Sequence, residues 1–160
     1  MIEKKNFYIN GKWISPSKPN DFEVIDPSTE EPFAIISLGS IEDTDIAISA
    51  AKKAFETWRE TSKEKRLALL EKFDQIYNRR WDEMVKAQST EMGAPLDYAS
   101  ETHTKMGADI SKNIIKILKD FNFEHQFDPK SNNHIRYEPI GVCGLITPWN
   151  FPMNQIVLKV

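Results

Sequence analysis

Apolar residues change their period several times along this 160-residue chain, and each change marks an element. Phe7-Tyr8-Ile9 and Lys12-Trp13-Ile14 read as two short strands joined by Asn10-Gly11. A type I′ turn needs positive φ at both central residues, which Asn and Gly tolerate. Ser15 to Asn20 is a Pro/Ser/Asn loop. Phe22 to Ile25 forms another short strand, stopped by Asp26-Pro27-Ser28-Thr29-Glu30, a turn built by Asx chemistry and proline. Phe33 to Leu38 is a further apolar strand, closed by Gly39.

Helical spacing then takes over. Ser40-x-x-Asp43 is a capping box with Asp in place of Glu, and Ala47, Ala50, Ala51, Ala54, Phe55 and Trp58 follow at helical intervals. Thr61-x-x-Glu64 predicts a second helix, with Leu70, Phe73, Ile76 or Tyr77, Met84 and Val85 on one stripe. It ends at Met92-Gly93-Ala94-Pro95, where glycine can take a left-handed cap and proline lies beyond. A third helix is expected from about Asp97 to Phe121, with His103, Met106, Ile110, Ile114, Ile117 and Phe121 as its stripe. Three such stripes call for a common core.

Asn122 to Asn133 is polar and loop-like, and His134 to Glu138 alternates as an exposed or edge strand does. Gly141 marks a bend. Val142 to Thr147 is apolar on both faces, which predicts a parallel strand covered by helices on each side. Pro152 suits the first turn of a helix, and the largely apolar run Met153 to Val160 carries no stop signal. A two-sided strand and an uncapped apolar helix need neighbours these residues do not supply. The expectation is therefore the front of a longer chain, cut one βα unit into a parallel sheet, and marginally stable when isolated.

Composition narrows the function. The net charge is −3, with 28% charged residues of both signs interspersed. No basic run stands out, which argues against nucleic acid or an anionic membrane as partner. The one cysteine, Cys143, permits no intrachain disulfide; its apolar setting suggests a buried thiol of raised pKa and no nucleophile. The N-terminus has no apolar signal core, and no stretch approaches the roughly 20 apolar residues of a membrane span. A cytoplasmic protein is expected. The three histidines lie far apart in sequence and suggest no ligand cluster, so no metal is expected.

The chemistry converges on Thr147-Pro148-Trp149-Asn150-Phe151-Pro152. A strand, a tight turn and a helix start bring side chains to the carboxyl edge of a sheet, where ligands of open α/β folds gather. Asn150 offers two N–H donors and one acceptor there. It also suits a helix N-cap, and the two roles are compatible.

The block Glu138 to Pro152 resembles the NAD(P)-dependent aldehyde dehydrogenase superfamily. The likeness extends through Ile9-Asn10-Gly11-Lys12-Trp13, Asp26-Pro27-Ser28-Thr29-Glu30, the Ala-rich helix ending in Trp58, Arg66 with Leu69-Leu70, and Glu91-Met92-Gly93-Ala94-Pro95. It implies an α/β fold. N-terminal strands and a three-helix layer (1–121) lead through an oligomerisation-type loop and strand (122–140) into the first strand-turn-helix of a Rossmann-like sheet (141–160). It implies oxidation of an aldehyde to a carboxylic acid through a cysteine thiohemiacetal and thioester. NAD is the expected cofactor, with NADP as the alternative, and a homodimer or homotetramer is expected at full length.

Asn150 matches the side-chain donor that holds the oxyanion, worth roughly 3–4 kcal/mol of barrier in comparable sites. Ile146, Thr147, Pro148 and Trp149, with Asn150, match the lining of the cofactor cleft. Trp149 suits core packing equally well. Lys159 matches a lysine given a proton-relay role in some members, and otherwise reads as a solvated helix lysine. The family's nucleophilic cysteine and general-base glutamate lie downstream of this motif, as do its ribose-binding residues. Some members hold a monovalent cation near the turn matching Asp26 with an acid on the third helix; here His103 takes that acid's place. The rival expectation is a truncated or degenerate relative acting as a non-catalytic assembly module.

Overall fold

The computed structural model describes residues 1–160. The hairpin forms as the sequence predicts. Strands Phe7–Ile9 (β2) and Lys12–Ile14 (β3) pair antiparallel, with Asn10 at φ 52° and Gly11 at φ 74°. Strand Ile2–Lys4 (β1), which sequence reading missed, runs parallel to Glu31–Ser37 (β5). Strand Asp21–Asp26 (β4) pairs antiparallel on the other side, giving a three-stranded sheet of order β1-β5-β4. Asp26 makes the expected Asx turn: its Oδ1 accepts from the Ser28 N–H at 2.8 Å and the Ser28 hydroxyl at 2.6 Å.

Helix Ile41–Trp58 (α1) opens with both arms of the capping box. The Asp43 N–H donates to Ser40 Oγ at 3.2 Å, and the Ser40 N–H donates back to Asp43 Oδ2 at 2.8 Å. The other carboxylate oxygen accepts from the Ser17 N–H at 2.8 Å, so the buried Asp43 ties the Ser15–Asn20 loop to the helix. These bonds, Ser17 first, hold its carboxyl far below the usual carboxylate range.

The second predicted helix is two. Lys63–Arg79 (α2) and Trp81–Met92 (α3) meet at Arg80, whose φ −99° and ψ 19° lie outside the helical region. The N-cap of α2 is Ser62 rather than Thr61: its hydroxyl accepts from the Lys65 N–H at 3.2 Å. Gly93 closes α3 in the left-handed conformation, as expected. Arg66 binds the end of α1, donating to the carbonyls of Trp58, Arg59 and Thr61 at 3.0–3.3 Å.

The third predicted helix changes pitch. Leu96–Tyr98 (α4) passes into a π-helix, Ala99–Thr104, and then into Lys105–Asp120 (α5). The widened turn rotates the buried face relative to the expected stripe. His103, Thr104, Gly107, Ala108 and Ser111 are buried, whereas Met106, Ile114 and Ile117 are exposed.

The core lies between α2, α3, α5 and the short helix Pro152–Val157 (α6). Tyr77, Ala108 and Val157 form its centre, with Phe73, Trp81, Met84, Ile110 and Met153 around them. No α1 residue belongs to this cluster, because the small alanines of its stripe bury little surface. The buried Tyr77 hydroxyl donates to the Thr104 carbonyl at 2.9 Å, and Gln88 Nε2 donates to Thr104 Oγ1 at 2.8 Å.

The expected edge strand forms over His134–Arg136 (β7), and it pairs antiparallel with Glu124–Gln126 (β6), which lies inside the segment expected as a loop. The expected strand at 142–147 does not form. A parallel strand needs ladder partners, and the other strands pair among themselves. Leu145 and Ile146 are consequently exposed.

A Cβ on Gly107 meets the Tyr77 side chain, with Cζ 3.0 Å away. Gly107→Ala should therefore destabilise by about 1–3 kcal/mol, an ordinary cost of overpacking. Thermal melts followed by circular dichroism should show part of that loss recovered in Tyr77→Phe/Gly107→Ala; a larger loss in the double variant would contradict the contact. Asp43, whose ordinary carboxyl value is 3.8, stabilises the fold above that value and loses this contribution as pH falls below it. The melting difference between the parent and Asp43→Asn should be present at neutral pH and shrink in acid. A pH-independent difference would refute the assignment.

Candidate functional site

The predicted site residues are contiguous and lie on the approach to α6. Between Glu138 and Lys159 no residue carries a charge. The segment's large apolar side chains face solvent: Ile146 is 89% exposed and Trp149 82% exposed. Trp149 is thus not a core residue. Thr147, Pro148 and Asn150 are exposed as well.

Asn150 is not the helix cap. Proline restricts the residue before it to extended backbone, and Pro152 is the first residue of α6. The N-cap is therefore Phe151, at φ −144° and ψ 70°, with no side-chain capping bond. Its carbonyl accepts from the Gln155 N–H at 2.9 Å. One residue earlier, the Asn150 amide is left outside the helix, in solvent, with no hydrogen bond to the rest of the chain. As a neutral donor with no internal partner, it can bind an external oxygen.

The helix behind it is anchored. Met153 and Val157 enter the core, and the Phe151 ring lies 4.7 Å, centroid to centroid, from the buried His103 ring. His103 also meets Tyr98 edge-on at 5.0 Å. Sequence reading missed this cluster. Its members are distant along the chain, so although His103 is expected on a buried helical stripe, no local pattern joins it to Tyr98 and Phe151.

Lys159 is set apart from Asn150 by the whole of α6, on the order of 10 Å at 1.5 Å per residue. It is half-buried, and its ammonium turns back to Gln155, donating to Oε1 at 2.8 Å and to the carbonyl at 3.3 Å. It borders an apolar groove of about 570 Å³ with Trp58, Leu70, Phe73 and Val157.

Cys143 is exposed, contrary to the buried thiol expected from its apolar neighbours. The strand that would have enclosed it does not form. Its sulfur lies 3.8 Å from the Gly141 carbonyl, beside a groove lined by Phe7, Tyr8, Ala47 and Ile48. No histidine lines this groove. No three His, Cys, Asp or Glu side chains converge anywhere in the chain as a metal site would require. No helix is long and apolar enough to cross a membrane.

Comparison with known proteins extends the picture. The family model described as "Aldehyde dehydrogenase family" matches residues 13–160. A 3-succinoylsemialdehyde-pyridine dehydrogenase from a Pseudomonas species is 42% identical over all of this chain and 33% of its own length. The crystal structure of an aldehyde dehydrogenase from Bartonella henselae is 51% identical, with a TM-score of 0.96 over 99% of this chain and 33% of that one. A variant of aldehyde dehydrogenase C from Pseudomonas syringae, solved with NAD+ and octanal, is 36% identical with a TM-score of 0.91 over 96% of this chain and 31% of that one. The chain spans about a third of the length of these relatives. The matched region is the N-terminal part of the α/β fold. With nearly the whole chain covered by the family model, this chain belongs to the aldehyde dehydrogenase family.

Proposed function

We propose that residues 1–160 form the oxyanion-binding portion of an enzyme that oxidises an aldehyde to a carboxylic acid with NAD. The observation that carries this reading is Asn150. Its amide is exposed and without an internal hydrogen bond, directly before a helix whose core contacts hold it in place. Catalysis by such a donor depends on pre-arrangement: the amide gains most where charge develops on the carbonyl oxygen after nucleophilic attack. Its two N–H groups can donate to that oxygen without changing protonation.

The residues before it suit NAD. Ile146 and Trp149 present exposed apolar faces, Thr147 adds a hydroxyl, and no carboxylate between Glu138 and Lys159 repels a phosphate. When bound, NAD supplies the hydride acceptor. This chain's part is to line the cleft with Ile146, Thr147, Pro148 and Trp149 and to orient the carbonyl oxygen through Asn150. NADP serves equally on these residues. The NAD+ complex of the related aldehyde dehydrogenase C favours NAD. A relay role for Lys159 requires its ammonium to leave Gln155.

In domain terms, residues 1–121 belong to the cofactor-binding part, 122–140 to an arm between subunits, and 141–160 to the first strand-turn-helix position of the sheet, of which the turn and α6 are formed here and the strand is unpaired. The exposed Phe127 and Tyr137 on the hairpin support its assignment to a homodimer or homotetramer. The same exposed apolar positions support a second reading, in which the chain is a non-catalytic assembly module for related subunits. Cytoplasmic placement is part of the proposal.

The nucleophile is not among these residues, so residues 1–160 alone should form no NADH from an aldehyde. Turnover that disappears in Cys143→Ser would overturn that assignment. In the complete enzyme, made of this segment and the two thirds its relatives add, Asn150→Ala should lower kcat about 10²–10³-fold with cofactor binding retained. An unchanged kcat, with hydride transfer shown to limit the rate, would remove Asn150 from the chemistry.

A further inference from the structure

The aromatic cluster of Tyr98, His103 and Phe151 has a role that the oxyanion reading does not assign. We infer that His103 is a positioning residue: its ring, fixed in the π-helix, seats Phe151 and so sets where the adjacent Asn150 amide points. The inference rests on the oxyanion role proposed above for Asn150.

Three observations support it. First, the Phe151 ring, next to Asn150 in the chain, rests on His103 at 4.7 Å. Second, His103 is itself immobilised. It is only 5% exposed, meets Tyr98 at 5.0 Å, and lies in the π-helix whose Ser100 hydroxyl accepts from Trp81 Nε1 at 3.0 Å. Thr104, the next residue, is fully buried and held by Tyr77 and Gln88.

Third, His103 Nδ1 is buried and has no hydrogen-bond partner. The contacts the ring does make are the aromatic ones to Tyr98 and Phe151.

The test is a set of variants in the complete enzyme. His103→Leu keeps bulk but removes the ring, and His103→Phe keeps the ring but removes the unpartnered nitrogen. His103→Leu should lower kcat about 10- to 10²-fold, as displacing a catalytic group by about 1 Å can. KM for NAD and the melting temperature should stay at the parent values. His103→Phe should retain parent kcat. In an Asn150→Ala background, His103→Leu should have no further effect, because both act through one group. A parent-like kcat for His103→Leu, or an equal loss with and without Asn150, overturns the inference while leaving the Asn150 reading intact. An unchanged kcat for Asn150→Ala alone overturns both.

Discussion

The Tyr77 hydroxyl bond to the Thr104 carbonyl is the constraint on which the rest of the helical layer depends. Burial raises the phenol's pKa to about 12, so it stays a proton donor across the physiological range. The bond joins α2 to the point where the π-helix gives way to α5. Gly107 lets the two helices approach, and Ala108 and Val157 close over the ring. Val157 belongs to α6, so one phenol connects the interior to the segment carrying Asn150.

The strands are held by a different device. The Asp43 carboxylate gathers a loop N–H from Ser17 and the cap N–H of Ser40, fixing the start of α1 beside the chain leaving β3. A similar economy recurs at the helix ends. Arg66 binds the closing carbonyls of α1, and Lys63 donates to the Lys119 and Phe121 carbonyls at the end of α5. Cations from neighbouring elements thus satisfy acceptors that a helix cannot satisfy itself.

Local chemistry was legible in the sequence. The Asn10-Gly11 turn, the Asp26 turn, the Ser40–Asp43 box and the Gly93 cap each depend on a few adjacent residues, and each forms. Features set by distant partners were not legible. Strand β1 exists only because β5 offers an edge, and the strand expected at 142–147 is missing because nothing offers one. The π-turn broke the assumed helical period and exposed Ile114 and Ile117. At the site, the motif pointed to Asn150, yet the cap fell one residue later because Pro152 dictates the backbone of Phe151. The aromatic seat beneath Phe151 had no local signature at all.

The stretch between Glu138 and Lys159 has no ionisable side chain except the Cys143 thiol. In the proposed role, Asn150 donates with an amide that neither gains nor loses a proton over the range in which enzymes operate. The oxyanion contact therefore adds no limb to a pH–rate profile, and whatever ionisations govern the reaction belong to groups outside this motif. In that proposed role the segment also presents no fixed positive charge, so nothing here would retain a carboxylate product once a neutral aldehyde had become an anion.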